Sequence, residues 1–201
     1  MNTQTHLLLA SALLAKNGKS HRYRNLVIIL GALTPDILIF AMAGLAGIQG
    51  VSGEVLWGEW YFNPPWQTWI DISNSIPLYL VLGLISFAIF KKKKHRSMVL
   101  LFVAAALIHI LFDIPVHVDD GHAHFWPVTD WRYISSISYW DPKYYGTMVS
   151  LIEAVFGLIL IRILWKRLTS KPDVSVIRPT LALFGALYLL VPVFYLVMLS
   201  D

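Results

Sequence analysis

The sequence predicts an all-α integral membrane protein, a single domain over residues 1–201. Five transmembrane helices form its bundle, preceded by a short N-terminal helix that penetrates the bilayer only halfway. Three observations lead to this. Of the 201 residues 57% are hydrophobic and only 14% are charged, where soluble domains carry roughly 25%, so the polar surface needed to stay dissolved is missing. The apolar residues gather into six segments, most of them long enough to cross a membrane. The connections between those segments alternate between basic and acidic.

Taken in order, segment 6–15 is too short to span, because a crossing needs about 20 mostly apolar residues; it enters from one face and stops partway. Met1 to His6 contains no basic residue, so 7–15 also reads poorly as a signal peptide. Segment 26–48 is long enough and is interrupted by Thr34-Pro35-Asp36. Segment 76–90 reaches spanning length if residues 70–75 extend it. Segments 98–116, 149–165 and 179–199 qualify directly.

Charge sets the orientation. Lys16, Lys19, Arg22 and Arg24 make one basic connection, Lys91 to Lys94 with Arg96 a second, and Lys166, Arg167, Lys171 and Arg178 a third. Connections 49–75 and 117–148 instead carry Glu54, Glu59, Asp71, Asp119, Asp120, Asp130 and Asp141. Positive-inside asymmetry puts the basic loops in the cytoplasm of a multi-pass protein of the bacterial inner membrane, with the acidic loops outside. Trp57, Trp60, Trp66, Trp69, Trp126, Trp131 and Trp140 crowd those outer loops, as amphipathic rings do at headgroup level. The net charge of +4 does not point to nucleic acid, since the cations flank apolar segments. The lysine run meets anionic lipid heads, so the first partner is the bilayer itself.

Against this background the ionisable residues inside the apolar segments stand out, because each costs a few kcal/mol or more at membrane depth. His109 and Asp113 sit at i and i+4 on one helix face, and Pro115 disturbs the helix end behind them. His117, Asp119, Asp120, His122 and His124 follow at once. By a rise of 1.5 Å per residue, His109 lies about 20 Å above Arg96, Asp36 about 18 Å above Arg24, and His6 about 15 Å above the cytoplasmic side. Three segments thus bring ionisable groups to similar depth, as one outward-facing polar cavity requires, with Glu153 placed to join it. The plainer reading of His109 and Asp113 is a hydrogen bond sealing a helix contact. A neutral Ser or Asn pair would do that at lower cost. For the 117–124 loop the plainer reading is a solvated acidic turn.

Imidazole and carboxylate together are the ligand set of a zinc-like cation, and with no cysteine in the chain a metal must be held by nitrogen and oxygen. His6, Asp36, His109 and Asp113 are the expected inner group, completed by His117, His122 or His124. Histidines left over serve as orienters, and Asp119 or Asp120 is the candidate general base. No serine-hydrolase elbow, phosphate-binding glycine loop or His-Glu-x-x-His helix is present.

The ordered set Thr5-His6, Pro35-Asp36, His109-x-x-x-Asp113 and the following histidine loop resembles the YdjM-type family of membrane-bound metal-dependent hydrolases. It is distantly similar to zinc-dependent phospholipase C. The stretches His122-Ala-His124-Phe-Trp-Pro127 and Ser138-Tyr-Trp-Asp141 look like a closer subgroup. The resemblance implies that His6, Asp36, His109 and Asp113 contribute to a metal centre. One departure is that many members carry a further histidine-rich motif between the Pro-Asp and His-x-x-x-Asp elements, where this chain has Asn74-Ser75.

The expectation is a membrane-bound hydrolase with an outward-facing site and a divalent cation, zinc by preference. Such a cation acidifies bound water and polarises a phosphoryl or carbonyl oxygen. Its position suits a lipid-derived phosphoester. The rival is a metal-ion or proton transporter using the same cluster, since buried ionisable residues also mark pathways. A pathway has to continue to the cytoplasm, whereas 26–33 and 98–108 carry no charge.

Overall fold

The computed structural model describes residues 1–168 and 177–198, so Lys171 and Leu199 of the sequence reading lie outside the described residues. Every regular element among the described residues is helical. Helix α1 (Thr3–Leu14) is followed by α2 (Arg22–Leu33), a 3-10 turn over Thr34–Asp36, and α3 (Ile37–Ile48). A single turn α4 (Gly53–Val55) runs through a π-helical stretch (Leu56–Trp60) toward α5 (Pro64–Ser73) and α6 (Ile76–Ile89). The remaining helices are α7 (Lys93–Asp113), α8 (Gly146–Leu168) and α9 (Ile177–Met198).

Among the described residues three helices are long and apolar enough to cross a membrane: Arg22–Ile48, Lys93–Val116 and Gly146–Leu168, of 27, 24 and 23 residues. The first contains the Thr34–Asp36 turn. Helices α5 and α6 reach spanning length only as a pair and bend by 43° at their junction. The extension of 76–90 by 70–75 is therefore a broken one. Pro77 near the start of α6 cannot donate back to the preceding turn, and the Ser75 hydroxyl instead caps α6 by accepting from Leu78 N at 3.2 Å.

Helix α7 is the hub, packed on α1, α2 and α6. Close approach between spanning helices depends on small side chains at the seam, and here Ala10, Ala32, Ala105 and Ala106 are wholly buried. Gly31 is the tightest point: a Cβ there would sit 2.3 Å from the Phe102 carbonyl oxygen, backbone against backbone. Gly157 on α8 similarly leaves room for the ring of Tyr188 on α9.

Helix α1 is held at both ends. Its last carbonyls have no partner within the helix, and long arginines from two other elements supply one. Arg167 donates to Ala12 O and Ala15 O at 2.5 Å each, and Arg24 donates to Leu14 O. At the other end Glu153 of α8 accepts from Asn2 N at 2.8 Å and from the Thr5 hydroxyl. Acid at the N-terminus and base at the C-terminus match the helix dipole. A 12-residue helix that cannot span is thereby fixed in height, which decides where His6 lies.

Replacing Gly31 by Ala must push α2 off α7. Overpacking of this kind costs roughly 1–3 kcal/mol, occasionally more. Thermal unfolding in detergent should show a clear drop for Gly31→Ala and none for Gly44→Ala, whose added methyl meets nothing within 4 Å.

Candidate metal centre

Four of the expected residues converge at the upper end of α7. His6 Nε2 lies 3.2 Å from Asp113 Oδ1. His109 Nε2 lies 3.5 Å from Asp36 Oδ1 and 3.8 Å from Asp113 Oδ2. The His6 and His109 rings stack with centroids 3.6 Å apart and planes within 10°. His6 and His109 are wholly buried, and Asp113 nearly so. The Met1 amino group also reaches Asp113 Oδ1, and the Thr3 hydroxyl donates to Asp36 Oδ2 at 2.5 Å.

The tautomer of His109 carries the chemical argument. Its Nδ1 is 2.7 Å from the Ala32 carbonyl oxygen. A carbonyl only accepts, so Nδ1 holds a proton, and in the neutral form of the ring the lone pair is at Nε2. That nitrogen is buried without a hydrogen bond and faces two carboxylates. In that form lone pair meets carboxylate, which is repulsive unless a proton or a metal cation lies between. Two ligand atoms on one tetrahedral zinc lie about 3.3–3.6 Å apart, whereas a direct charge-assisted N–H···O bond is about 2.7–2.9 Å. The 3.5 Å spacing of His109 and Asp36 matches shared ligation, whereas the 3.2 Å contact of His6 with Asp113 is a hydrogen bond.

A second group lies where the chain leaves α7. His117 Nε2 is 3.0 Å from Asp113 Oδ2, and His117 Nδ1 is 3.0 Å from Asp120 Oδ2. Each ring nitrogen of His117 thus faces a carboxylate oxygen in an ion-pair contact. His122 stands with its ring centroid 5.2 Å from that of His117. Asp113, His117 and His122 each offer a ligand atom within 4.8 Å of the other two, as do His6, His109 and Asp113. His124 belongs to neither group. It lies edge-on to His122 at 5.7 Å, with its Nδ1 turned to the Asn74 carbonyl at 3.3 Å.

The two candidate bases differ. Asp120 accepts from Val118 N at 3.2 Å and from Trp140 Nε1 at 2.9 Å, besides touching His117. Asp119 is exposed and lines the cavity. Burial alone would raise the Asp120 carboxyl, but His117 and the Trp140 N–H hold it below its ordinary range. Burial likewise works against a charged His117, yet Asp113 and Asp120 outweigh it and push the imidazole up to about 9. Burial dominates at His122, whose imidazole is lowered to about 3 and is neutral at physiological pH, as a ligand must be.

Asp36, Asp113, His117, Asp119, Asp120 and His122 line a cavity of about 600 Å³ whose other walls include Ile39, Phe40, Trp57, Phe62 and Trp140, while His6 and His109 lie buried behind that lining. Glu153 does not join it. It lines a smaller cavity of about 380 Å³ beside Tyr188 and holds the start of α1.

Sequence reasoning overlooked the residues that hold the site in place. Asp71 accepts from Ala123 N at 2.9 Å and pairs with Arg132 at 2.5 Å, while Arg132 also donates to Gly121 O at 2.7 Å. This clamp fixes the loop that carries His122. Ser73 and Asn74 donate to the Pro35 carbonyl at 2.9 and 3.1 Å, steadying the turn that presents Asp36. Arg132, set among Asp119, Asp120, Asp130 and Asp141 in the 117–148 connection, was the available signal for the first of these.

In the metal-free protein a proton sits on His117 up to about pH 9, and a cation must displace it. Zinc affinity should therefore rise with pH from 6.5 to 8.5, by up to about tenfold per unit for one displaced proton. The dependence should flatten in His117→Gln, as measured by competition with a fluorescent chelator. No known protein family, curated protein or solved structure matches this chain.

Proposed function

We propose that the protein is a membrane-bound, metal-dependent hydrolase of lipid-linked phosphoesters. The reading rests above all on His109, whose Nε2 is buried without a hydrogen bond beside the carboxylates of Asp36 and Asp113. His6, Asp36, His109 and Asp113 would hold the cation, zinc by the nature of the donors. When bound, such a cation supplies Lewis acidity toward a phosphoryl oxygen and a nucleophile at neutral pH.

The remaining work falls to the chain. Asp119, exposed at the cavity wall, is the group free to accept a proton as general base. Asp120 orients His117. Ile39, Phe40, Trp57 and Phe62 offer an apolar wall above a charged floor, an arrangement suited to an amphiphile whose chain stays in the bilayer. In this reading five helices cross the inner membrane of a bacterium, α1 enters halfway, and the site faces outward. The basic connections that carry Lys16, Lys91 and Lys166 stay in the cytoplasm. The resemblance to the YdjM-type family points the same way.

A transporter would need a polar route toward the cytoplasm. Directly below the cluster Ala10, Ile28, Ala32 and Ala105 pack as a wholly buried apolar group, which favours a one-sided site.

The purified protein should hydrolyse a lipid phosphoester, lose that activity with a strong chelator and regain it with zinc. Asp119→Asn should lower kcat by about 10²–10⁴, and Asp120→Asn by about 10–100-fold. Bound metal without turnover on any phospholipid, together with metal flux into liposomes, would refute the hydrolase.

A further inference from the structure

We propose that the smaller cavity beside Glu153 binds an organic ammonium, and that this ammonium belongs to the headgroup of the lipid phosphoester. The ammonium site stands on its own geometry, whereas its link to the substrate rests on the hydrolase reading above.

Glu153 lies inside a helix apolar enough to span the membrane and is 4% exposed. Its carboxylate accepts from Asn2 N at 2.8 Å, from Asn2 Nδ2 at 3.1 Å and from the Thr5 hydroxyl at 2.5 Å. All three donors are neutral. The positive end of α1 supplies the equivalent of about half a charge, so part of the negative charge stays uncompensated where burial is costly. The Met1 ammonium is turned to Asp113 and lines the main cavity, not this one. Among the described residues no lysine, arginine or histidine lines the smaller cavity. Capping α1 explains the hydrogen bonds of Glu153 but not the cavity beside it.

Hydrogen-bond direction points the same way. The Thr5 hydroxyl has one proton, which goes to Glu153, so the Tyr188 hydroxyl 2.5 Å away is the donor to Thr5. Tyr188 keeps lone pairs, and Glu153 Oε2 has room for a second donor. The polar floor is thus made of acceptors, and a positively charged donor completes it. Tyr139, Trp140 and Tyr188 line the same cavity. A carboxylate beside several rings suits an alkylammonium, which the ring faces also attract. A bare metal ion needs more oxygen ligands than one carboxylate and its neighbouring hydroxyls supply.

The position ties this cavity to the main one. Asn2, Gln4, Tyr139 and Trp140 line both and divide them. The Tyr139 ring is 5.1 Å from that of His117, and Trp140 Nε1 donates to Asp120 Oδ2. In the bound lipid the phosphate lies on the Asp113 side of this partition and the ammonium, a short chain away, on the Glu153 side. Leu187 and Leu190 line the smaller cavity and are exposed on α9, which gives access from the bilayer.

The test uses the full-length protein in detergent. Isothermal titration of the metal-free protein should show binding of ethanolamine and none of ethylene glycol, its uncharged counterpart. The zinc-loaded protein should cleave phosphatidylethanolamine with a kcat/KM about tenfold above that for phosphatidylglycerol of the same chains. Glu153→Gln should abolish ethanolamine binding and erase the preference between the lipids. The wild-type comparisons stand by themselves if that variant fails to fold. Zinc-dependent cleavage of both lipids at equal rates, without ethanolamine binding, overturns the ammonium site and leaves the hydrolase standing. Ethanolamine binding without turnover on either lipid overturns the hydrolase and assigns the site to a free amine. Ethanolamine binding retained in Glu153→Gln overturns Glu153 as its partner.

Discussion

A carboxylate buried at the end of a membrane-spanning helix has to be neutralised, and the upper half of this molecule is organised around doing so for Asp113. Its oxygens meet His6, His109, His117 and the Met1 amino group, contributed by the half-length first helix, by α7 itself and by the loop that follows. No one of these elements could assemble the cluster. Asp113 is tolerable there only because α1 delivers His6 at its height, and α1 stands at that height because Glu153 and Arg167 hold its two ends.

The same constraint accounts for the tight packing below. Ala32 offers its carbonyl to His109 only because α2 lies close against α7, and Gly31 permits that approach. A bulkier seam would separate His109 from the carbonyl that fixes its tautomer. Packing thus sets which nitrogen faces the carboxylates. Chemistry at the top depends on sterics in the middle of the helix pair.

Around the cluster, a set of polar contacts holds its members in orientation. Asp71 and Arg132 clamp the His122 loop, Ser73 and Asn74 steady the Asp36 turn, and Asp120 stands behind His117. Groups that bind or activate must be held by rigid neighbours to be effective. At this site those neighbours come from the break between α5 and α6 and from the irregular loop before α8. The break at Asn74-Ser75 contributes hydrogen bonds to the site and no imidazole of its own.

The sequence alone determined that the chain is helical and apolar enough for a membrane, and helix rise placed His6, Asp36 and His109 at similar height with Asp113 one turn further along α7. Helix rise and the cost of burying charge are local rules, and they act residue by residue along the chain. Tertiary structure decided what those rules do not reach. It separated His124 from the cluster and gave Glu153 to the first helix instead of the main cavity. It also tied Asp120 to Trp140 and His117, leaving Asp119 exposed at the cavity wall. Each of these outcomes depends on which face of one element meets another. That is set by side-chain volume and hydrogen-bond partners brought together from distant parts of the chain, so spacing along it carries no record of them.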